Sequence, residues 1–186
     1  MSRRLAASLL GLLALVGVPA AADTVVADKS EIAFTMKQMG VNFDGRFRKW
    51  KADVVFRPNA LAQSKAVIDV DLGSIDLASD ESEKESRGPL WFNTTKFPVA
   101  HFVSTGVRAV GPNRYEVAGS LSLKGIARDY VIPITVSTDG AGNRVAEGIW
   151  SLRRLDHKIG EGEWADTDTV ANDVTVHVRL VLGPPA

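Results

Sequence analysis

The stretch Val174-Thr175-Val176-His177-Val178-Arg179-Leu180-Val181-Leu182 sets the fold class. Its apolar residues recur at every second position, Val174, Val176, Val178, Leu180 and Leu182, with Thr175, His177 and Arg179 between them. Successive side chains of an extended chain point to opposite faces, so this is a strand with one apolar and one wet face. On that reading His177 faces solvent. The same period of two returns in Ile68, Val70 and Leu72, in Tyr115, Val117, Leu121 and Leu123, and in Tyr130, Ile132, Ile134 and Val136. The breaks between these runs are short: Gly111-Pro112-Asn113, Lys124-Gly125 and Thr138 to Asn143. Short breaks imply hairpins and antiparallel pairing.

Working outward gives eight strand segments: Glu31 to Gln38, Val41 to Phe56, Lys65 to Leu72, Val99 to Val110, Arg114 to Lys124, Arg128 to Ser137, Arg144 to Leu155 and Asp173 to Leu182. Several exceed the usual five or six residues. Eight long antiparallel strands are best closed as an all-β, eight-stranded up-and-down barrel, because closure removes exposed edges and leaves room for one small ligand. A filled sandwich is the alternative, since both need inward apolar residues. Within the second segment the apolar parity changes. Val41, Phe43 and Phe47 are odd-numbered, whereas Trp50, Ala52, Val54 and Phe56 are even. One extra residue near Arg48 accounts for the switch and predicts a bend between Phe47 and Trp50. The one helix expected is short, Ser79 to Ser86, on the long connection before Val99. Asp80, Glu81, Glu83 and Glu85 make it polar almost all round, a solvated surface turn or an acidic face for a partner.

The chain has 186 residues, enough for one ordinary domain. Lys+Arg and Asp+Glu tie at 22 each, so there is no basic excess to neutralise a phosphate backbone, and nucleic acid is excluded as a partner. A hydrophobic content of 45% excludes global disorder. With no cysteine there is no disulfide, thiolate metal site or cysteine nucleophile. Arg3 and Arg4, the apolar run Leu5 to Val18 and Ala20-Ala21-Ala22 read as a secretory signal peptide over residues 1–22. The run, interrupted by Ser8, falls short of the roughly 20 residues that span a bilayer. The mature domain is then 23–186, periplasmic or secreted, without a transmembrane segment and with a loose tail from Gly183 to Ala186.

Catalytic chemistry is sparse. His101, His157 and His177 lie far apart with no H-x-x-x-H or H-E-x-x-H spacing, so no metal site is expected. There is no G-x-S-x-G elbow, phosphate-cradling loop or dinucleotide fingerprint, and no cofactor is expected. The best catalytic cluster is Asp156, His157 and Glu161, which makes a hydrolase or other enzyme the alternative to a binding protein.

Several segments, in order, resemble the YceI-like family of extracytoplasmic lipid-binding proteins. They are Ser30-Glu31-Ile32-Ala33-Phe34, Gln38-Met39-Gly40, Phe43-Asp44-Gly45-Arg46-Phe47, Ser74-Ile75-Asp76, Trp91-Phe92-Asn93 and Phe97-Pro98-Val99-Ala100-His101-Phe102. Gly119 to Gly125, Pro133, Arg154-Leu155-Asp156 and Ile159 to Thr167 complete the likeness. The resemblance implies a lipocalin-like barrel around a long apolar ligand, a polyisoprenoid or an isoprenoid quinone, with no covalent reaction. Same-face spacing on strands that the family turns inward makes Phe34, Met36, Phe43, Phe47, Leu121 and Leu123 the candidate ligand-binding wall. Leu90, Trp91, Phe92 and Phe97 are the candidate cap at one mouth, and Tyr115 and Trp150 are further wall candidates. This chain reads Arg87-Gly88-Pro89-Leu90-Trp91-Phe92 where many members carry Arg-Asp-x-His-Leu, so a head-group contact made there does not carry over. His157-Lys158 replaces a usual phenylalanine-glycine pair. The Trp-Phe and Gly-Glu-Trp-Ala-Asp-Thr variants resemble a branch associated with membrane b-type cytochromes, which implies such a cytochrome as a partner.

Overall fold

The computed structural model describes residues 22–183. The expected signal peptide, apart from Ala22, lies outside the described residues, as does the tail beyond Gly183. Gly183 itself is buried, and its N–H is bonded to the Thr24 carbonyl at 2.7 Å, so it is not part of a loose tail.

The described chain is all-β with one short helix. In order the elements are β1 (Glu31–Gln38), β2 (Val41–Phe47), β3 (Trp50–Val55), β4 (Lys65–Asp71), β5 (Ile75–Asp76), α1 (Asp80–Arg87), β6 (Val99–Gly111), β7 (Arg114–Leu123), β8 (Ile126–Thr138), β9 (Arg144–Arg153) and β10 (Asp173–Leu182). They form one ten-stranded sheet in the order β3-β4-β6-β7-β8-β9-β10-β1-β2-β5, with neighbouring strands antiparallel.

The count is ten, not eight, because one expected strand divides at a corner and a two-residue strand, outside every expected segment, lies against that corner. Val41 to Phe56 divides at Arg48 and Lys49 into β2 and β3. Opposite it, β4 stops at Asp71, and β5 resumes after the single helical turn Leu72–Ser74. Ser74 stitches the corner. Its carbonyl accepts from the Arg48 N–H at 3.0 Å, and its hydroxyl accepts from the Lys49 N–H at 2.9 Å. The expected bend is therefore present, and the parity change follows from it. Phe47 before the bend and Val54 and Phe56 after it all border the interior. Since β2 and β3 lie toward opposite margins of the sheet yet are consecutive in the chain, the sheet wraps around in the manner of a lipocalin-like barrel.

Helix α1 starts where a serine supplies the cap, the Ser79 hydroxyl accepting from the Ser82 N–H at 3.2 Å. It is not solvated all round. Glu83 is buried and binds Arg48 at 3.2 Å and Arg87 at 2.7 Å, which pins the helix to the corner of the sheet. The Leu77 N–H bonded to Glu83, aided by both arginines, holds its carboxyl below the usual glutamate range.

At the other end of the sheet Asp23 is clamped. Its carboxylate accepts from Arg144 at 2.8 Å, Arg57 at 3.0 Å and the Phe56 N–H at 2.7 Å. Apolar packing is concentrated in two clusters. The larger includes Ile32, Leu72, Trp91, Leu123, Ile159 and Val170, and the smaller centres on Val54, Leu180 and Leu182.

Candidate ligand-binding cavity

Strand alternation turns one set of side chains from each long strand toward a common interior. From β10 these are Val174, Val176, Val178, Leu180 and Leu182, and from β8 Tyr130, Ile132, Ile134 and Val136. His177 lies on the opposite face, half-buried, and does not border the interior. The interior is hollow, a cavity of about 250 Å³ reached from all the long strands. Val107, Val117, Ile134, Val136, Val174 and Val176 point into it yet are only half-buried, because the facing walls do not meet.

Of the candidate wall, Phe34, Met36, Phe47, Leu121 and Leu123 line the cavity, as do Tyr115 and Trp150. Phe43 does not. It is half-buried opposite Met36 at the hairpin end of the sheet, beyond the last lining residue of β2. Of the candidate cap, Trp91 and Phe92 line the cavity, whereas Leu90 and Phe97 do not. Leu90 acts through its carbonyl, which accepts the N–H groups of Gly160 and Glu161 at 2.9 Å each. Phe97 lays its ring over Gly125, at φ +75°, where a Cβ would meet the ring at 2.6 Å. Both hold the cap in place from outside. Aromatic rings run across the cavity wall: Phe34 and Phe47 are 5.7 Å apart, Phe47 and Phe92 6.1 Å. Phe56 and Tyr115 meet edge to face at 5.1 Å near the Asp23 clamp.

Glycines make room for the rings. Gly45 pairs directly with Phe34 on β1, and the Phe34 ring occupies the space a Cβ would take, at 2.4 Å. Gly119 is covered in the same way by Phe102.

The polar residue that matters most to this end of the cavity is Arg154, which sequence reasoning noted only as part of a motif. It is 1% exposed, and its five N–H groups all donate to carbonyls: Ala171, Ile159, Gly160, Trp164 and Val170, at 2.7 to 3.0 Å. Its guanidinium also lies 5.9 Å from the Trp91 ring. Burial lowers its proton affinity, but the five carbonyls need every N–H it has. Lys124, also buried, adds bonds to the Lys158 carbonyl at 2.6 Å and to Glu161 at 2.9 Å. The Lys124 ammonium holds the Glu161 carboxyl below its usual range.

Asp156, His157 and Glu161 are not joined to one another by a hydrogen bond. Asp156 is exposed, Glu161 is paired with Lys124, and His157 is fully buried against other partners. The His157 Nδ1 is 3.1 Å from the Ile126 carbonyl, and Nε2 is 2.8 Å from the Tyr130 hydroxyl. A carbonyl only accepts, so Nδ1 carries the proton and Tyr130 donates to Nε2. Burial pushes the imidazole pKa down and the Tyr130 phenol pKa up. The two polar residues at 157–158 are thereby explained. His157 packs as a satisfied neutral ring, and Lys158 takes the left-handed conformation, φ 55°, that a glycine adopts more cheaply.

No carboxylate lines the cavity among the described residues, and no His/Cys/Asp/Glu group there can hold a metal. Its capacity is to enclose an apolar body.

Among known proteins, a UPF0312 protein of Shewanella denitrificans is 32% identical over 147 residues, 76% of this chain and 75% of the relative. The crystal structure of Burkholderia cenocepacia BcnA superposes with a TM-score of 0.82 at 35% identity, covering 85% of this chain and 99% of that one. A polyisoprenoid binding domain from Saccharophagus degradans shares the fold at a TM-score of 0.71 and 19% identity, over 89% of this chain and 99% of that domain. The model of the YceI-like domain matches residues 24–182, which takes in every strand of the sheet, and the chain belongs to the YceI-like family.

Proposed function

We propose that the protein is an extracytoplasmic carrier that holds a long apolar lipid, a polyisoprenoid or an isoprenoid quinone, inside a lipocalin-like up-and-down barrel. The observation that carries this reading is the hollow interior, where inward valines and isoleucines stay half-buried around an apolar void. An empty apolar cavity gains nothing for stability, and burying a chain in it gains about 0.8 kcal/mol per CH₂. Strands of ten to thirteen residues, rising about 3.3 Å per residue, match an extended chain in length. The Saccharophagus domain, which binds polyisoprenoid by its name, supports the same ligand class. Phe34, Met36, Phe47, Trp91, Phe92, Leu121 and Leu123 are the proposed ligand contacts. Phe43, Leu90 and Phe97 shape the wall and cap around them.

The expected signal peptide supports a periplasmic or secreted location, and no described helix is long and apolar enough to cross a membrane. A membrane b-type cytochrome is a proposed partner on the resemblance alone.

Native mass spectrometry of protein isolated from its own host tests the reading. A mass excess extractable into organic solvent as an isoprenoid lipid is expected. A lipid-free protein that also fails to take up added isoprenoid would overturn it.

A further inference from the structure

The sheet has a seam. β8 and β9 pair from Ile134–Gly148 to Thr138–Arg144 and no further. Yet β8 extends back to Ile126, paired to β7 throughout that stretch, and β9 extends on to Arg153, paired to β10. Ile126 to Pro133 therefore faces Ile149 to Arg153 with no ladder between them. Pro133 stands where the pairing stops, a residue with no N–H to give a neighbouring strand.

The seam's inner lips belong to the cavity: Tyr130 and Ile132 on one side, Trp150 and Leu152 on the other. Its outer lips carry two of the exposed large apolar residues of the molecule, Val131 at 57% and Ile149 at 60%. Along this line the cavity and the surroundings are separated by the thickness of one sheet, and no strand-to-strand hydrogen bond holds the sheet together. What bridges it is His157, from the helical turn that follows β9, through its bonds to the Ile126 carbonyl and the Tyr130 hydroxyl of β8.

The two ends of the barrel are held more firmly. One is tied by the five carbonyl bonds of Arg154 and by Lys124, the other by the Asp23–Arg57–Arg144 clamp. Both ends thus carry buried charged groups in multiple hydrogen bonds, whereas the inner lips of the seam are apolar and only two side-chain hydrogen bonds cross it, although Arg128, Asp129 and Arg153 lie on its exposed side. We propose that the β8–β9 seam is the lateral port through which the ligand's apolar chain passes into the cavity, with Tyr130, His157 and the Ile126 carbonyl as its latch. This inference rests on the carrier reading above.

The natural chain has no cysteine, so paired substitutions give a clean cross-link. Val131→Cys with Ile149→Cys places thiols on the two outer lips, to be bridged by a short bismaleimide. Thr135→Cys with Glu147→Cys, directly opposed within the intact ladder, is the control. Stopped-flow fluorescence with 11-(dansylamino)undecanoic acid reads uptake and release. Bridging the seam should slow both at least tenfold while equilibrium binding persists, and bridging the control pair should leave the rates alone. Tyr130→Phe, which removes the latch hydroxyl and keeps the ring, should speed both. Equal rates in the two bridged proteins, or an unchanged rate in Tyr130→Phe, overturn the port. If the dye binds no form of the protein, wild type included, the carrier reading fails and the port with it.

Discussion

Arg154 carries a positive charge into a buried site and surrounds it with carbonyl oxygens instead of a carboxylate. Replacing it with methionine fills part of the volume but strands five acceptors, so Arg154→Met should cost about 3 kcal/mol or more, read as a drop in the urea midpoint. Arg154→Lys should recover little, because an ammonium has three donors and no planar fork. A midpoint close to wild type in either variant would show that the loop carbonyls find other partners. His157 makes a prediction in pH. Its folded pKa is depressed, chiefly by burial, with Arg128 acting in the same direction and Asp156 and the Ile126 and Leu123 carbonyls opposing. Below the unfolded value of about 6.5 the unfolded chain therefore binds a proton that the folded chain does not. Stability is full above about pH 6.5 and declines as the pH falls below it. The carboxyls held low, Asp76, Glu83 and Glu161, give up their contribution only in more acid solution, below about pH 4.5. Thermal melts across pH should thus show a decline setting in below about pH 6.5 in the wild type that His157→Gln lacks.

Among the elements, the corner between β2 and β3 shows how a local count becomes a global shape. Two residues outside the ladder, Arg48 and Lys49, reverse which parity faces inward and allow the long strand to turn with the sheet. Ser74 and Glu83 meet the corner's polar groups from the opposite side, which is why the acidic helix sits where it does. The glycines inside strands are similarly positional. A methyl at Gly119 would lie 2.4 Å from the Phe102 ring and 2.7 Å from the Val103 carbonyl, and backbone cannot step aside. Gly119→Ala should therefore cost about 1 to 3 kcal/mol in calorimetric melting, as overpacking does. Gly106→Ala, with nothing within 4 Å of the new Cβ, should be close to neutral. Equal effects at the two sites would mean that β7 can shift to accept the methyl.

For the molecule as a whole, stability and binding should separate. Val117 lines the hollow and is only half-buried, so Val117→Trp has space to occupy without crowding a packed core. The variant should keep its melting temperature, since filling a void adds contacts. It should lose at least tenfold in affinity for 11-(dansylamino)undecanoic acid. Undiminished binding in titration would place the chain somewhere other than this cavity.

The alternation of Val174 to Leu182 and its counterparts determined the antiparallel β fold, and the parity switch at Arg48 determined the corner, because both depend only on which way successive side chains point. The same rule put Phe34 with Met36, Phe43 with Phe47, and Leu121 with Leu123 on common faces, and the family resemblance turned those faces inward. Phe43 shares the parity of Phe47 and sits directly opposite the lining residue Met36, yet does not itself border the cavity, a difference that period two does not encode. Leu90 and Phe97 were expected in the cap at one mouth, and the contacts they make there are a carbonyl that accepts two N–H groups and a ring laid over a glycine. The role of Arg154 was hidden because its partners are backbone carbonyls of residues 159 to 171, which no side-chain pattern announces. That the barrel is hollow, that His157 is a buried bridge and that β8 parts from β9 were decided by the tertiary structure alone. Each depends on how far apart two chain segments come to rest, and an inward-pointing valine is spelled the same whether another side chain or empty space lies in front of it.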